Sequence, residues 1–358
     1  MQRRPDEGGP VLKICVFGVG AIGGYLAIHL ARVAGVELSV VARGEHLAAI
    51  RRNGLTLRSS RGELRAEVRA SDRPADFGPQ DVVILALKTP QVAQALDAIG
   101  PLLGPETAVV PPTTGIPYWY FHDLPGPFRN HQLERLDPGG RQWQVLGPQR
   151  AIGCVFWVGG EVVAPGVIRQ EGNLSRFPMG EPDGSESERV KRFAAAMSAA
   201  GLDAPVVPDI RAWIWAKMIS SLCWNSTAAL TTANLAEIIA SPTVLPVVRA
   251  MMDEAYELAR DTGIAHMPIS GEQIVATASK AGGHRPSMLQ DLQRGRPLEL
   301  DVLIDSIESM RDLAGSPTPT IDTVLSLLSL RAQKHHQSMR ERFASAPSAG
   351  DTGVASAA

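Results

Sequence analysis

The chain has 358 residues, a formal net charge of −2 and 20% charged residues, the profile of a soluble globular enzyme of about two domains. That balance argues against a nucleic-acid binder. Its three cysteines, Cys15, Cys154 and Cys223, all lie in apolar segments. They predict reduced core thiols, with neither a disulfide framework nor metal-ligand spacing. No segment has the pattern of a signal peptide or a membrane span, so a cytoplasmic protein without a membrane partner is expected. Residues 1–10 and 344–358 are polar or small and are expected to be disordered.

The apolar run Val11–Phe17 predicts a strand. Gly18-Val19-Gly20-Ala21-Ile22-Gly23 follows it and leads into a helical segment. A strand, a G-x-G-x-x-G turn and a helix in that order form the phosphate end of a dinucleotide site. The first glycine permits the tight turn and the second lets a pyrophosphate approach the backbone. The third lets helix and strand pack closely, with the phosphates at the helix N-terminus. Val36–Ala42 predicts the second strand, and Arg43 stands beyond it where an NAD site places an acidic residue. A guanidinium there suits a 2′-phosphate and so favours NADP(H). Glu45 falls at the start of the next helix.

Asp81–Leu87 is continuously apolar after its first residue, as a buried parallel strand should be. A helix over Pro90–Ile99 follows, with Thr89 as its N-cap. Lys88 then lies at the carboxyl edge of the sheet, where ligands bind, or is simply a surface lysine. Further strands are expected at Ala108–Val110, Ala151–Val158, Val162–Val163 and Arg176–Gly180. Residues 117–145 form an aromatic stretch rich in Pro and Gly that either covers the site or is a plain insertion. Arg189–Ala200 reads as the helix closing the first domain. From Asp209 onward only helical periodicity is present, over 209–240, 243–262, 270–282, 287–294, 297–314 and 318–335.

The expected architecture is therefore α/β: a Rossmann-type N-terminal domain, residues 11–206, followed by an all-helical C-terminal domain, residues 207–343. The active site is expected in the cleft between them.

Lys217, Ser221 and Asn225 are four residues apart, on one helix face, within an apolar and aromatic segment. Desolvation would lower the lysine's pKa and suit it to proton transfer. Spacing alone leaves open the plainer reading of a lysine at the edge of an amphipathic helix. Ser287 with Gln290 fits a capping box. Glu299 falls in the first turn of a helix begun after Gly295 and Pro297, where the helix dipole favours it.

Together, Gly18–Gly23, Leu85-Ala86-Leu87-Lys88, Trp215-Ala216-Lys217, Ser287–Asp291 and Gly295–Asp301 resemble the ketopantoate reductase (2-dehydropantoate 2-reductase) family, in order over residues 11–335. The resemblance implies an NADPH-dependent reductase acting on a small carbonyl substrate, commonly a homodimer. It implies Lys217 as general acid and Glu299 as the residue that holds and polarises the substrate. It also implies Asn225, Ser287, Ser221 and Thr114 at the substrate, and Gly18, Gly20, Ala21, Ile22, Gly23, Arg43, Lys88 and Thr114 at the cofactor. Two departures stand out. Thr113-Thr114-Gly115 replaces the usual Gln-Asn-Gly, and Ser221 replaces a second asparagine on the lysine helix. Both replace amides that could orient a hydroxy acid, so the substrate is open among 2-oxo acids and related carbonyls. An opine- or imine-type NADP dehydrogenase and a non-catalytic NADP(H)-sensing protein are the alternatives. Ile238, Val247 and Met251 could form a dimer face or ordinary core.

Overall fold

The computed structural model describes residues 11–344 except Thr113 and Pro297. The expectation of disorder at residues 1–10 and 344–358 lies outside these residues except for Ala344, which the structure places in a helix, and the substitution at Thr113 lies outside them too. The chain divides into two compact units. The first comprises the described residues up to Met218 with Leu258–Pro268 and Asp305–Gly315; the second comprises Ile219–Glu257, Ile269–Ile304 and the described residues from Ser316 onward.

The first unit begins with β1 (Leu12–Phe17), α1 (Ala21–Leu30), β2 (Val36–Val41), α2 (Gly44–Asn53), β3 (Leu55–Ser59), β4 (Gly62–Ala66), β5 (Arg69–Ser71), β6 (Val82–Leu85), α3 (Thr89–Ile99) and β7 (Ala108–Val110). Five of these strands form one sheet in the order β5-β2-β1-β6-β7, with every pairing parallel. β6 is buried along its whole length, because helices cover both faces of a parallel sheet. The chain leaves β1 toward β2 on one side and later places β6 on the other. The carboxyl ends of β1 and β6 are thus the topological switch point at which such sheets bind ligands. This is the expected Rossmann-type domain.

After α4 (Arg141–Val145) come β8 (Gly153–Cys154), β9 (Trp157–Ala164), β10 (Val167–Arg176), β11 (Met179–Gly180) and α5 (Glu188–Ala199). β4-β3-β10-β9 form a second sheet, which the sequence reading missed. β4, β9 and β10 are for the most part partly or fully exposed along their length, so they carry little periodic signal. The expected strand over Ala151–Val158 is two pieces, β8 and the start of β9. Val162–Val163 is part of β9, and Arg176–Gly180 divides between β10 and β11. β6 ends at Leu85, two residues early, and Lys88 rather than Thr89 is the N-cap of α3. The Thr89 hydroxyl instead donates to the Thr114 carbonyl at 3.3 Å.

The 117–145 stretch is a folded part of this unit. Tyr118, Trp119, Tyr120, Phe121, Leu133 and Leu136 are buried, and Asp137 accepts from the Gln142 and Trp143 amides at the start of α4.

The remaining elements are α6 (Ile210–Thr231), α7 (Leu235–Ala240), α8 (Leu245–Asp261), α9 (Gly271–Ala281), α10 (Ser287–Gln293), α11 (Asp301–Ala314) and α12 (Pro319–Ala344). Among the described residues from Ile210 onward every element is helical, as expected. The segment read as one helix over 209–240 is two. Thr232 takes φ 61°, and Asn234 then caps α7 in a capping box with Glu237. In the second unit Glu254 caps α12 by accepting from the Thr320 and Ile321 amides. Ile238 and Met251 are core, whereas Val247 is 39% exposed. The three cysteines are free and buried, and burial pushes the Cys15 thiol up to about 12.

Candidate active site

Gly18, directly after β1, takes φ +97°, and a Cβ there would strike Leu87 and the Ala86 carbonyl beyond β6. Gly23 is closed on all sides: its Cβ would lie 2.0 Å from the Gly18 oxygen. Gly20 is different. It is exposed, and a Cβ on it would meet nothing within 4 Å. Two glycines therefore serve close packing, and the third leaves open space in front of α1. The first bond of α1 runs from the Gly24 amide to the Gly20 carbonyl. The amides of Ala21, Ile22 and Gly23 are left at the helix N-terminus, where an anion is favoured.

Arg43 is exposed at the carboxyl end of β2, as the N-cap of α2. Its guanidinium has no hydrogen-bond or ion-pair partner among the described residues. The donor set — three helix-terminal amides, an open glycine and a free guanidinium — fits a dinucleotide bearing a 2′-phosphate. Lys88 is exposed beyond β6, and its backbone amide donates to Gln91 Oε1. Thr114 is half-buried beyond β7.

α6 starts on a buried arginine. Arg211 is 6% exposed and donates to the carbonyls of Tyr120, His122 and Pro182. Its guanidinium also lies 5.8 Å from the ring centroids of Trp119 and Tyr120. One turn on, Trp215 Nε1 donates to Tyr120 Oη at 2.8 Å. The aromatic stretch thus grips the first two turns of the helix that carries Lys217. Sequence reading did not single out Arg211, because its three acceptors are backbone atoms some 30 and 90 residues away.

Lys217 is half-buried. It has no hydrogen bond or ion pair among the described residues, and burial alone lowers its ammonium from 10.5 to about 8. A merely amphipathic lysine would keep its head in water and its ordinary pKa. An unpaired, desolvated ammonium on a fixed helix is what a general acid requires.

In the second unit, Asn225 Oδ1 accepts from the Met288 amide at 3.2 Å and from the Ser287 hydroxyl at 3.4 Å. The capping box expected of Ser287 and Gln290 does not form. Pro286 occupies the N-cap of α10, so Ser287 is already helical and Asn225 caps the helix from α6. The Asn225 amide nitrogen has no partner among the described residues and remains a donor. Ser221 is half-buried on α6. Glu299 is also half-buried, but it precedes α11, which begins at Asp301, two residues later than the expected helix start allows. The helix expected over 297–314 begins at Asp301, so Glu299 precedes its first turn rather than lying in it; Pro297 lies outside the described residues.

Among the described residues no cluster of three or more His, Cys, Asp or Glu could hold a metal ion. A cavity of about 460 Å³ lined by His122, Trp143, Gln144 and Arg150 contains none of the candidate residues.

The model for ketopantoate reductase PanE/ApbA matches residues 14–116, and that for its C-terminal part matches residues 209–332. A 2-dehydropantoate 2-reductase of Mesorhizobium japonicum is 47% identical over 318 residues, 88% of this chain and 97% of that protein. The chain belongs to the ketopantoate reductase family. It is accordingly an oxidoreductase by descent. A crystal structure from Ralstonia solanacearum MolK2, provisionally assigned as a ketopantoate reductase, aligns with a TM-score of 0.82 and 38% identity, covering 90% of this chain and 98% of that one. D-mandelate dehydrogenase in complex with NADH and anilino(oxo)acetate shares the fold, with a TM-score of 0.74 and 20% identity over 90% of this chain and 99% of that one. Among the described residues no helix is long and apolar enough to cross a membrane.

Proposed function

We propose that this family member is an NADPH-dependent reductase of 2-oxo acids or related carbonyls, with 2-dehydropantoate, giving pantoate, as the first candidate substrate. The observation that carries the reading is Lys217: desolvated, without a partner, and lowered to about 8. At neutral pH it is mostly protonated, yet a far stronger acid than an ordinary lysine. A bound nicotinamide dinucleotide supplies the hydride. Lys217 Nζ delivers the proton to the carbonyl oxygen, and its charge stabilises the alkoxide developing there. Glu299 holds and polarises the substrate. The free Asn225 amide and the hydroxyls of Ser287, Ser221 and Thr114 orient it.

For the cofactor, Gly20 gives the pyrophosphate its approach, the amides of Ala21, Ile22 and Gly23 bind it, and Gly18 with Gly23 fix the turn. Lys88 and Thr114 line the carboxyl edge of the sheet. The fold does not choose the phosphorylated dinucleotide, since D-mandelate dehydrogenase holds NADH. Arg43 makes that choice, because its guanidinium has no competing acid partner. We further read residues 11–206 as the dinucleotide domain and 207–343 as the substrate domain of a cytoplasmic homodimer. Val247 on α8 with Leu327 and Leu330 on α12 offers exposed apolar surface to a second copy.

The test is NADPH oxidation with 2-dehydropantoate beside a panel of 2-oxo acids and ketones. Turnover of at least one is expected. Tight NADPH binding with no turnover across the panel would overturn the reading.

A further inference from the structure

Between Arg211 and Thr227 every side chain of α6 is buried except Trp213, Lys217, Ser220, Ser221 and Asn225. Counted from Trp213 these fall at i, i+4, i+7, i+8 and i+12, which is one stripe along a helix. Its middle and far end carry the acid and the polar groups described above. Its near end carries Trp213, for which that chemistry has no task.

The indole is held firmly. Trp157, at the start of β9, meets it edge to face with ring centroids 5.4 Å apart at 70°. The Arg176 guanidinium lies over the Trp213 ring, 5.1 Å from its centroid, and is itself tethered to Asp203 at 3.3 Å. Trp157 and Arg176 are partners across β9 and β10. Both indoles nevertheless stay partly accessible. Aromatic surface kept rigid and partly accessible one helical turn from Lys217 is stabilised when a flat or broad apolar group covers what remains of it. One helical turn separates Trp213 from Lys217, about 5–6 Å between Cβ atoms. A carbonyl oxygen and the substituent on the same carbon can therefore reach the lysine and the indole together.

We infer that Trp213 and Trp157 form the wall against which the substituent of the substrate's carbonyl carbon packs, so that 2-oxo acids with an aryl or similarly broad substituent are preferred over those with a small one. This rests on the reading that Lys217 protonates a 2-oxo acid carbonyl.

The experiment measures kcat/KM with NADPH for phenylglyoxylate and for pyruvate, in the wild type and in Trp213→Leu. Wild type is expected to favour phenylglyoxylate. Trp213→Leu is expected to lower the phenylglyoxylate-to-pyruvate ratio about tenfold or more, with Trp213→Phe keeping most of it. Trp157→Leu, the second ring of the wall, gives an independent reading of the same ratio if Trp213→Leu fails to fold. A ratio unchanged within about twofold, even where both rates fall, would mean a purely structural indole pair and would overturn the inference. So would a wild type that reduces 2-dehydropantoate and pyruvate but favours pyruvate over phenylglyoxylate; the reductase reading would then stand. A wild type that reduces no 2-oxo acid overturns both.

Discussion

In the turn after β1 the chemistry is carried by backbone: three glycines, the free amides of α1 and the open space in front of Gly20. On α6 it is carried by one side chain whose properties come from what surrounds it. The turn's motif lies within six consecutive residues, although Gly18 and Gly23 pack on Ala86 beyond β6. The lowered pKa of Lys217 comes from burial, on a helix whose first two turns are fixed through Arg211, Trp215 and Tyr120. Binding sites for phosphate can be written locally, whereas a tuned acid has to be built by packing.

The largest expected effect falls on the packed region. Lys217→Met should lower kcat about 10²–10⁴-fold, the usual loss on removing a positioned acid, with NADPH affinity nearly unchanged. It should also stabilise the fold by about 1–3 kcal/mol at pH 7. The folded-state pKa lies below the unfolded one, so the charged lysine costs stability. That cost is fully present below pH 8 and is relieved as pH rises toward the unfolded value. Chemical denaturation of the two proteins at pH 7 checks it; a less stable variant would assign Lys217 a structural role.

Next comes the turn. Gly23→Ala places a Cβ against the Gly18 carbonyl and should cost about 1–3 kcal/mol while weakening dinucleotide binding, measured by denaturation midpoint and cofactor titration. Normal NADPH affinity in a folded Gly23→Ala protein would break the comparison, because the turn geometry would then be dispensable. Arg43→Ala is expected to weaken NADPH about 10–100-fold and leave NADH nearly unchanged, the size of one lost charge-assisted contact with phosphate. Fluorescence titration with both dinucleotides decides it.

These two regions were also unequally legible. The Gly18–Gly23 turn, the alternation of strands and helices, and Arg43 beyond β2 could all be read from adjacent residues. The β3–β4 hairpin and most of β10 could not, because β4 and β10 are largely polar and exposed and carry little periodicity, whereas parts of β9 were expected as strands. Glu299 was placed in a helix that starts only at Asp301. The cap of α10 escaped because its donor and acceptor, Met288 and Asn225, are 63 positions apart. Lys217 was visible as a lysine in an apolar run, but its missing partner and lowered pKa belong to the packing.

The smallest expected effect marks where α6 ends. Thr232 sits at φ 61°, a conformation that favours glycine over a β-branched residue. Thr232→Gly should therefore raise stability by about 0.5–1 kcal/mol without altering kcat, as thermal melting and steady-state rates would show. A changed kcat would mean that the end of the lysine helix, and not only its clamped start, governs the acid.

The most direct measurement is the pH profile of kcat for NADPH-dependent reduction of 2-dehydropantoate, or of the best substrate in the panel, from pH 6 to 10.5. With Lys217 as the proposed proton donor its ammonium form is the active one, so kcat should be level at low pH and fall through a single limb near pH 8 as that group deprotonates. A rate that stays level to pH 10 would contradict a desolvated Lys217 as the proton donor.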